Sequence, residues 1–274
     1  MFALLTGIIV RIFSNSYLNV FQKLLANKGE KASVINFYTY LGLTILGFVI
    51  CPNPIITAEI IKTMFLMGFL GAIGNYLIIK AVSCGELSSL APINSYKPVF
   101  ALILGIFLLK ELPNIEQILG IALIVLGTII LGNNNKLRNK ATLYRFFALI
   151  FSGAEAIFIK KIILLSDVAT SFLYWAFASL IFVTIFVILS KHPIKIKIQN
   201  VKYQFILILL VALMQYSTNY VFSMINVAYA LALFQLSTIL SVILGFSIFK
   251  EKNILQKIVA SLIMIIGAII ILIV

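Results

Sequence analysis

Long apolar runs separated by short polar breaks dominate this chain, and they predict helices that cross a membrane. Most runs reach the roughly 20 residues that an α-helix needs to span a hydrocarbon core about 30 Å thick. The breaks contain charged residues, Pro, Gly or Asn. We therefore predict an all-α integral membrane fold with ten transmembrane helices, at residues 2–22, 33–51, 62–82, 87–109, 113–132, 143–165, 168–190, 203–225, 227–249 and 253–273.

The second half of the sequence repeats the first. Residues 98–111 recur as residues 238–251 at an offset of 140 positions, and residues 13–23 recur as residues 151–161 at an offset of 138. Residues that keep their identity in both copies include Ser14 and Ser152, Asn75 and Asn219, Gly105 and Gly245, Glu111 and Glu251, and Gly127 and Gly267.

The duplication divides the chain into two five-helix repeats. We expect the first repeat at residues 1–132 and the second at residues 143–274, joined by a polar loop at residues 133–142. Since an odd number of crossings inverts the second repeat relative to the first, the two should be related by a pseudo-two-fold axis in the membrane plane. A cavity is then expected near the midplane, where the halves meet.

Composition supports the membrane assignment and excludes nucleic acid as a partner. The chain is 62% hydrophobic and 11% charged, whereas soluble domains carry about 25% charged residues. Although the net charge is +13, the Lys and Arg residues are scattered at helix ends, as anchoring charges are. Odd-numbered loops hold 15 of them and even-numbered loops hold 4, which by the positive-inside rule places both termini outside.

The sequence offers little for catalysis, for a metal or for a cofactor, and we expect none of the three. The only histidine, His192, lies in a Lys-rich loop, and Cys51 and Cys84 lack a metal-binding spacing. No zinc-protease, nucleophile-elbow or phosphate-binding loop motif occurs. Trp175 is expected to face lipid or the interfacial belt.

Three ionisable residues lie inside predicted spans and are candidates for substrate binding: Arg11, Lys97 and Glu155. Such a residue costs about 2.5–3.5 kcal/mol at the membrane centre and usually faces a cavity or a partner. The other repeat has uncharged residues at the matching positions, namely Leu149, Ser237 and Tyr17. A symmetric scaffold with an asymmetric charge set is what a pocket for one particular polar solute requires.

Each of these charges also has a structural interpretation. Lys97 could meet a substrate carboxylate or phosphate, or it could pair with Glu155 or satisfy carbonyls freed by Pro98. Glu155 could bind a substrate amine, carry a coupling proton or form an interhelical salt bridge. Arg11 lies nearer a helix end and could extend its guanidinium toward the interface.

Polar side chains recur every four residues on several predicted helices, which places each set on one helix face. They converge on the expected cavity, although amides also join transmembrane helices through hydrogen bonds worth about 0.6–2 kcal/mol. Two tyrosines are included because each follows one of the paired asparagines. The additional candidates are Asn15, Asn19, Asn75, Tyr76, Asn94, Gln215, Asn219, Tyr220 and Gln235.

One set of residues resembles the EamA-type repeat of the drug/metabolite transporter superfamily, and it occurs twice. The resemblance is carried by Pro98-Val99-Phe100-Ala101, Gly105, Lys110-Glu111, Gly120, Gly127, Ser152-Gly153, Lys160 and Lys161. It implies a ten-helix fold, transport of small metabolites without ATP, and a cavity lined by helices one, three, four, six, eight and nine. The chain departs from the repeat pattern at Thr238 and Asn15. Many members also keep their termini in the cytoplasm, contrary to the charge distribution here.

We therefore expect a multi-pass protein of the inner or plasma membrane. The expected function is secondary active transport of a small charged or zwitterionic metabolite, such as an amino acid, by alternating access. Its partners would be that small-molecule substrate, the lipid bilayer and a coupling proton or counter-solute. The alternatives are an exporter of lipophilic cations, drugs or lipid-linked molecules, a non-transporting membrane subunit and an intramembrane enzyme.

Overall fold

A computed structural model describes residues 2–85, 90, 93, 96–131, 140–189, 195–249 and 254–273. Asn94, His192, Glu251 and most of the predicted loop at 133–142 lie outside these residues. The α-helices, numbered here in chain order, are α1 Phe2–Asn27, α2 Ala32–Ile50, α3 Ala58–Cys84, α4 Lys97–Leu109, α5 Ile115–Leu131, α6 Lys140–Leu165, α7 Val168–Leu189, α8 Val201–Met224, α9 Val227–Phe234, α10 Ser237–Phe249 and α11 Ile254–Ile273.

Helices occupy the ten predicted positions, but not all are long enough or apolar enough to cross a membrane by themselves. Five segments meet both requirements within the described chain: Phe2–Asn27, Ala32–Ile50, Ala58–Cys84, Val168–Leu189 and Ile198–Met224. The molecule is therefore a multi-helix membrane protein, and the count of ten crossings stays a prediction.

Two predicted spans differ from the single continuous helices that we expected. The span at 227–249 is divided into α9 and α10, because the chain tightens at Gln235 and Leu236, whose amides bond carbonyls three residues back, at 2.9 and 3.1 Å. In the span at 87–109, the described helix α4 begins at Lys97 with Pro98 in its first turn. Proline is favourable in a first turn because its missing N–H has no intrahelical role there.

The two helix starts are equivalent in the repeat. Lys97, the first residue of α4, matches Ser237, the first residue of α10. Since the sequence at these positions differs while the helix boundary does not, the boundary belongs to the repeated scaffold.

Helices from one half pack mainly on helices from the other. The most extensive contacts join α3 with α6, α5 with α11, α1 with α8, and α2 with α7. Exchanging the halves converts the α1–α8 pair into the α6–α3 pair and leaves the other two pairs unchanged. This is the packing expected of two equivalent five-helix units wrapped around a shared centre.

Glycines permit the closest of these contacts. A Cβ on Gly120 of α5 would lie 2.8 Å from the carbonyl oxygen of Gly267 in α11, and one on Gly267 would lie 2.7 Å from that of Gly120. By contrast, a Cβ on Gly105, which the repeat pattern also marks, would meet nothing closer than 3.5 Å. Small residues therefore set the helix spacing at α5 and α11, whereas Gly105 does not restrict its surroundings in this way.

Candidate functional site

A polar cavity of about 100 Å³ lies where the two halves meet. Its wall draws on α1, α2, α3 and α4 of the first half and on α6, α7, α8 and α9 of the second. The polar lining residues are Arg11, Asn15, Asn19, Gln22, Tyr40, Asn75, Lys97, Arg145, Ser152, Glu155, Trp175, Gln215 and Thr218. An interior with this much polar surface contrasts with the apolar exterior of the same helices.

Glu155 on α6 is the one carboxylate among the described wall residues. Its side chain is buried, and it accepts a hydrogen bond from the indole Nε1–H of Trp175 on α7. Gly71 on α3 makes room for it, because a Cβ there would overlap the carboxylate oxygen Oε1. The carboxylate is thus held by one helix, oriented by a second and accommodated by a third.

Arg11 on α1 is held by two contacts in the second half. Its Nε donates to Thr218 Oγ1 at 2.6 Å, and its guanidinium carbon lies 4.8 Å from the centre of the Phe234 ring. Among the described residues, its buried Nη1 has no hydrogen-bond partner. A guanidinium that is anchored at one end and unsatisfied at the other can bind an anionic group.

Lys97 and Arg145 complete the charged wall. Lys97 interacts electrostatically with Glu155, Arg11 and Arg145, and its stem passes beside Gly153, where a Cβ would lie 3.7 Å from Lys97 Cγ. In the described part of the chain, the buried Nε of Arg145 has no hydrogen-bond partner. Three cations and one carboxylate therefore share one small space.

Amides and hydroxyls connect the wall to the helix breaks. Asn15 Nδ2 donates to Ser237 Oγ at 2.9 Å, which ties α1 to the start of α10. Asn75 Nδ2 donates to Asn36 Oδ1 at 2.5 Å, and the side-chain amides of Gln215 and Asn219 lie 2.8 Å apart. These contacts are consistent with both interpretations of the polar stripes, since the same side chains join helices and border the cavity.

Seven of the predicted site residues border the cavity, and four described ones do not. Those in the wall are Arg11, Asn15, Asn19, Asn75, Lys97, Glu155 and Gln215. Their proposed role in substrate binding stays a prediction. Asn94 lies outside the described residues.

Four described candidates are not among the residues that line the cavity, namely Tyr76, Asn219, Tyr220 and Gln235. Tyr76 packs against Phe186, with ring centres 4.8 Å apart, and Tyr220 is 36% exposed on the outer surface of α8. Asn219 is buried with its side-chain amide 2.8 Å from that of Gln215. Gln235 is buried at the junction of α9 and α10, where it donates to the Leu231 carbonyl at 3.1 Å.

The sequence reasoning missed Arg145 and misplaced Trp175. The sequence analysis groups Arg145 with the anchoring charges near helix ends. At the offset of 138, however, Arg145 matches the uncharged Gly7. Like Arg11, it is therefore a charge that has no counterpart in the other repeat. Trp175 was expected to face lipid, but it is 5% exposed and bonds Glu155. It lies seven residues from the start of α7. Because its indole N–H is buried, that group needs a hydrogen-bond partner.

A second polar cluster lies outside the cavity lining, around Lys160 and Glu111. Lys160 on α6 donates to the carbonyls of Phe222 and Ile225, the latter at 3.3 Å, and lies 3.9 Å from Glu111, which follows α4. Glu111 also accepts a hydrogen bond from the Val227 amide at 3.2 Å. Lys160 and Glu111 thus link α4, α6, α8 and α9. Glu111 has a counterpart in Glu251, whereas Lys160 matches Gln22 in the other repeat.

The fold is that of a multi-pass membrane protein with a cavity between its two halves. The sequence model of the EamA-like transporter family matches residues 1–133 and again residues 139–273. The chain belongs to that family.

Two further similarities concern length and fold. The uncharacterized protein MJ1333.1 of Methanocaldococcus jannaschii is 28% identical over 141 residues, which cover 98% of that protein and 48% of this chain. It is therefore similar to about half of this chain. A solved crystal structure superposes with a TM-score of 0.75 at 12% identity, over 98% of this chain and 96% of the other, and this likeness shows a shared fold.

Proposed function

We propose that this protein is a secondary active transporter that moves a small polar metabolite across the membrane by alternating access. The observation that carries the proposal is the cavity between the two halves, with Arg11, Lys97, Arg145 and Glu155 in its wall. Ionisable groups inside membrane helices are costly, and they usually mark a solute or ion pathway. Membership of the EamA-like transporter family also supports a role in transport.

The size and charge of the cavity favour a small metabolite over the alternative substrates. A volume of about 100 Å³ is several times smaller than the roughly 300–1,000 Å³ of pockets for drug-sized ligands. A lipophilic cation would meet three cationic side chains and one carboxylate. Amino acids, organic acids and their phosphorylated analogues agree better with both properties.

The packing of the helices supports alternating access as the mechanism. In transporters built from repeats, solute sites lie at the repeat interface, beside discontinuous helices, and one bundle rocks against the other. Here the helix starts at Lys97 and Ser237 both adjoin the cavity region, the first directly and the second through Asn15. The repeats would exchange their conformations as the cavity opens to one side and then to the other.

Glu155 is the proposed carrier of a coupling proton. It is the one carboxylate in the described wall, and its hydrogen bond with Trp175 and its electrostatic interaction with Lys97 would change when it gains or loses a proton. A counter-solute is the alternative partner. An imposed proton gradient would stimulate uptake if the proton is coupled and would have no effect if a counter-solute is.

Flux through the purified protein in proteoliposomes tests the proposal. We would measure entry of labelled amino acids, carboxylates and phosphate esters under an imposed proton gradient and in counterflow. Lys97→Ala and Glu155→Gln should each reduce flux by at least tenfold, whereas the exposed Lys202→Gln should behave as the parent protein. Absence of movement for every solute in both assays would contradict transport, and unchanged flux in both cavity variants would contradict the site.

A further inference from the structure

The charges in the cavity wall do not balance. The described wall contains Arg11, Lys97 and Arg145 against the single carboxylate of Glu155, which leaves an excess of two positive charges. In a space enclosed by apolar helices, such an excess is poorly compensated by solvent. A solute of opposite charge is the natural counterpart.

The contacts show which cations are available to that solute. Glu155 accepts a hydrogen bond from Trp175 and interacts electrostatically with Lys97. Arg11 and Arg145 each keep a buried nitrogen, Nη1 and Nε respectively, that has no hydrogen-bond partner among the described residues. Buried N–H groups of a guanidinium are expensive to leave unpaired. Two arginines, one from each half, therefore each have a buried donor that no described residue satisfies.

The helix breaks add to the positive potential. A helix N-terminus carries about half a positive charge and unpaired amide groups, and it favours anions. The starts of α4 and α10 both adjoin the cavity region, through Lys97 and through the Asn15–Ser237 hydrogen bond. These termini support anion binding because Arg11 and Arg145, each with one nitrogen that no described residue satisfies, occur in the same wall.

We propose that the cavity takes a small organic dianion, such as a four-carbon dicarboxylate or a three-carbon phosphate monoester, bound between Arg11 and Arg145. This inference rests on the proposed transport function for its biological role. A dianion cancels the excess charge of the described wall, whereas a monoanion leaves one positive charge and a zwitterion leaves two. Both dianion types offer the paired oxygen acceptors that match a guanidinium.

Equilibrium binding to the full-length protein in detergent tests the charge preference. The probes are succinate, glycerol 3-phosphate, butyrate, alanine and choline, measured by calorimetric titration at neutral pH and constant ionic strength. At least one of the two dianions should bind at least tenfold more tightly than butyrate or alanine. Comparison of succinate with glycerol 3-phosphate assigns the two charges to separate carboxylates or to one phosphate. Tighter binding of alanine or choline would overturn the inference.

Variants that remove a positive or a negative charge from the wall test whether the two arginines bind the dianion. Arg11→Gln and Arg145→Gln should each weaken binding of the preferred dianion by at least tenfold, and Arg145→Lys should restore most of it. Glu155→Gln should increase that affinity, because it removes a negative charge from the wall. Lys202→Gln serves as the control at the surface. Size-exclusion profiles and thermal midpoints of the ligand-free variants identify any loss that comes from misfolding, and an Arg145→Gln variant that folds and binds normally would overturn the assignment.

Counterflow separates this inference from the proposed function. If alanine enters proteoliposomes and neither dianion does, the dianion inference fails while transport stands. If a dianion binds with the predicted dependence on Arg11 and Arg145 but no solute moves, transport fails while the charge selectivity of the site stands. Entry of a dianion that competes with its own unlabelled form, and not with alanine, supports both.

Discussion

At the scale of single residues, the contact between Glu155 and Trp175 organises the cavity. The indole N–H reaches the carboxylate from a neighbouring helix, and the Tyr40 ring stacks edge-on against Trp175, with centres 5.1 Å apart. Gly71 leaves the space that the carboxylate occupies. The position of Glu155, the one carboxylate among the wall residues that the structure describes, therefore depends on residues that carry no charge themselves.

Replacing Trp175 with Phe should remove the hydrogen bond that orients the Glu155 carboxylate. The substitution keeps a ring but removes the N–H donor, which is worth about 0.6 kcal/mol for an average interhelical hydrogen bond and up to about 3 kcal/mol for one to a charged group. We expect lower unfolding free energy in detergent and reduced flux. A double-mutant cycle with Glu155→Gln should give a coupling energy above about 0.5 kcal/mol, and additive effects would show that the contact has no energetic weight.

Two glycine substitutions form a matched pair. Gly71→Ala should displace the Glu155 side chain, because its Cβ would overlap Oε1, and it should reduce flux severalfold or more. Gly105→Ala adds the same methyl group where nothing lies closer than 3.5 Å. It should leave flux unchanged and stabilise its helix by up to about 1 kcal/mol. Equal effects of the two substitutions on flux would contradict the assigned role of Gly71.

At the scale of helices, the ends and breaks carry as much information as the spans. The α4 and α10 starts are repeated features, and α7 begins with a capping aspartate. Asp167 Oδ1 accepts from the amides of Ala169 and Thr170 at 2.7 and 2.9 Å, and Oδ2 accepts from the Thr170 hydroxyl at 2.6 Å. These bonds satisfy amide groups that the first turn of a helix leaves unpaired.

The Asp167 cap predicts a pH-dependent contribution to stability. Partial burial raises the pKa of Asp167, but the hydrogen bonds from Thr170 and Ala169 outweigh it and hold the pKa below the ordinary 3.8. Because the folded-state pKa is depressed, the stabilisation is fully present above the unfolded-state value and is lost as pH falls through the folded-state value. Asp167→Ala should cost about 0.5–2 kcal/mol at neutral pH.

The measurement is thermal unfolding of the parent and variant proteins from pH 7 to pH 3. The difference between parent and Asp167→Ala should be constant at higher pH and should shrink as pH falls below about 4, the ordinary range for aspartate. Asp167→Asn is the control, because an asparagine can cap the helix without titrating. A difference that grows on acidification would contradict the assigned cap.

At the scale of the whole molecule, two equivalent halves enclose a site that is not symmetric. The helix pairs exchange when the halves are exchanged, yet Arg11 and Arg145 do not occupy matching positions, and Glu155 faces Tyr17 in the repeat comparison. A symmetric frame supports exchange between two conformations, while the unmatched charges define what the cavity binds. The family model likewise matches the chain in two segments, one in each half.

Orientation in the membrane is a prediction for the whole chain. The excess of Lys and Arg in odd-numbered loops, 15 against 4, places both termini outside by the positive-inside rule. Reporter fusions at the C-terminus, one active only in the cytoplasm and one active only outside it, measure this directly. The outside reporter should be active, and a cytoplasmic signal would show that the charge distribution does not set the topology.

The sequence by itself determined that this is a helical membrane protein built twice, and it singled out Arg11, Lys97 and Glu155. Those inferences depend on local composition and on internal comparison, since an ionisable residue inside an apolar span is visible in the sequence whatever its neighbours in the fold are. Only the tertiary structure decided which polar residues face the cavity. Trp175 and Arg145 lie in its wall, whereas Tyr76 and Tyr220 do not. Helices that are apolar on every side carry no periodic signal for their buried face, so contacts with neighbouring helices set it.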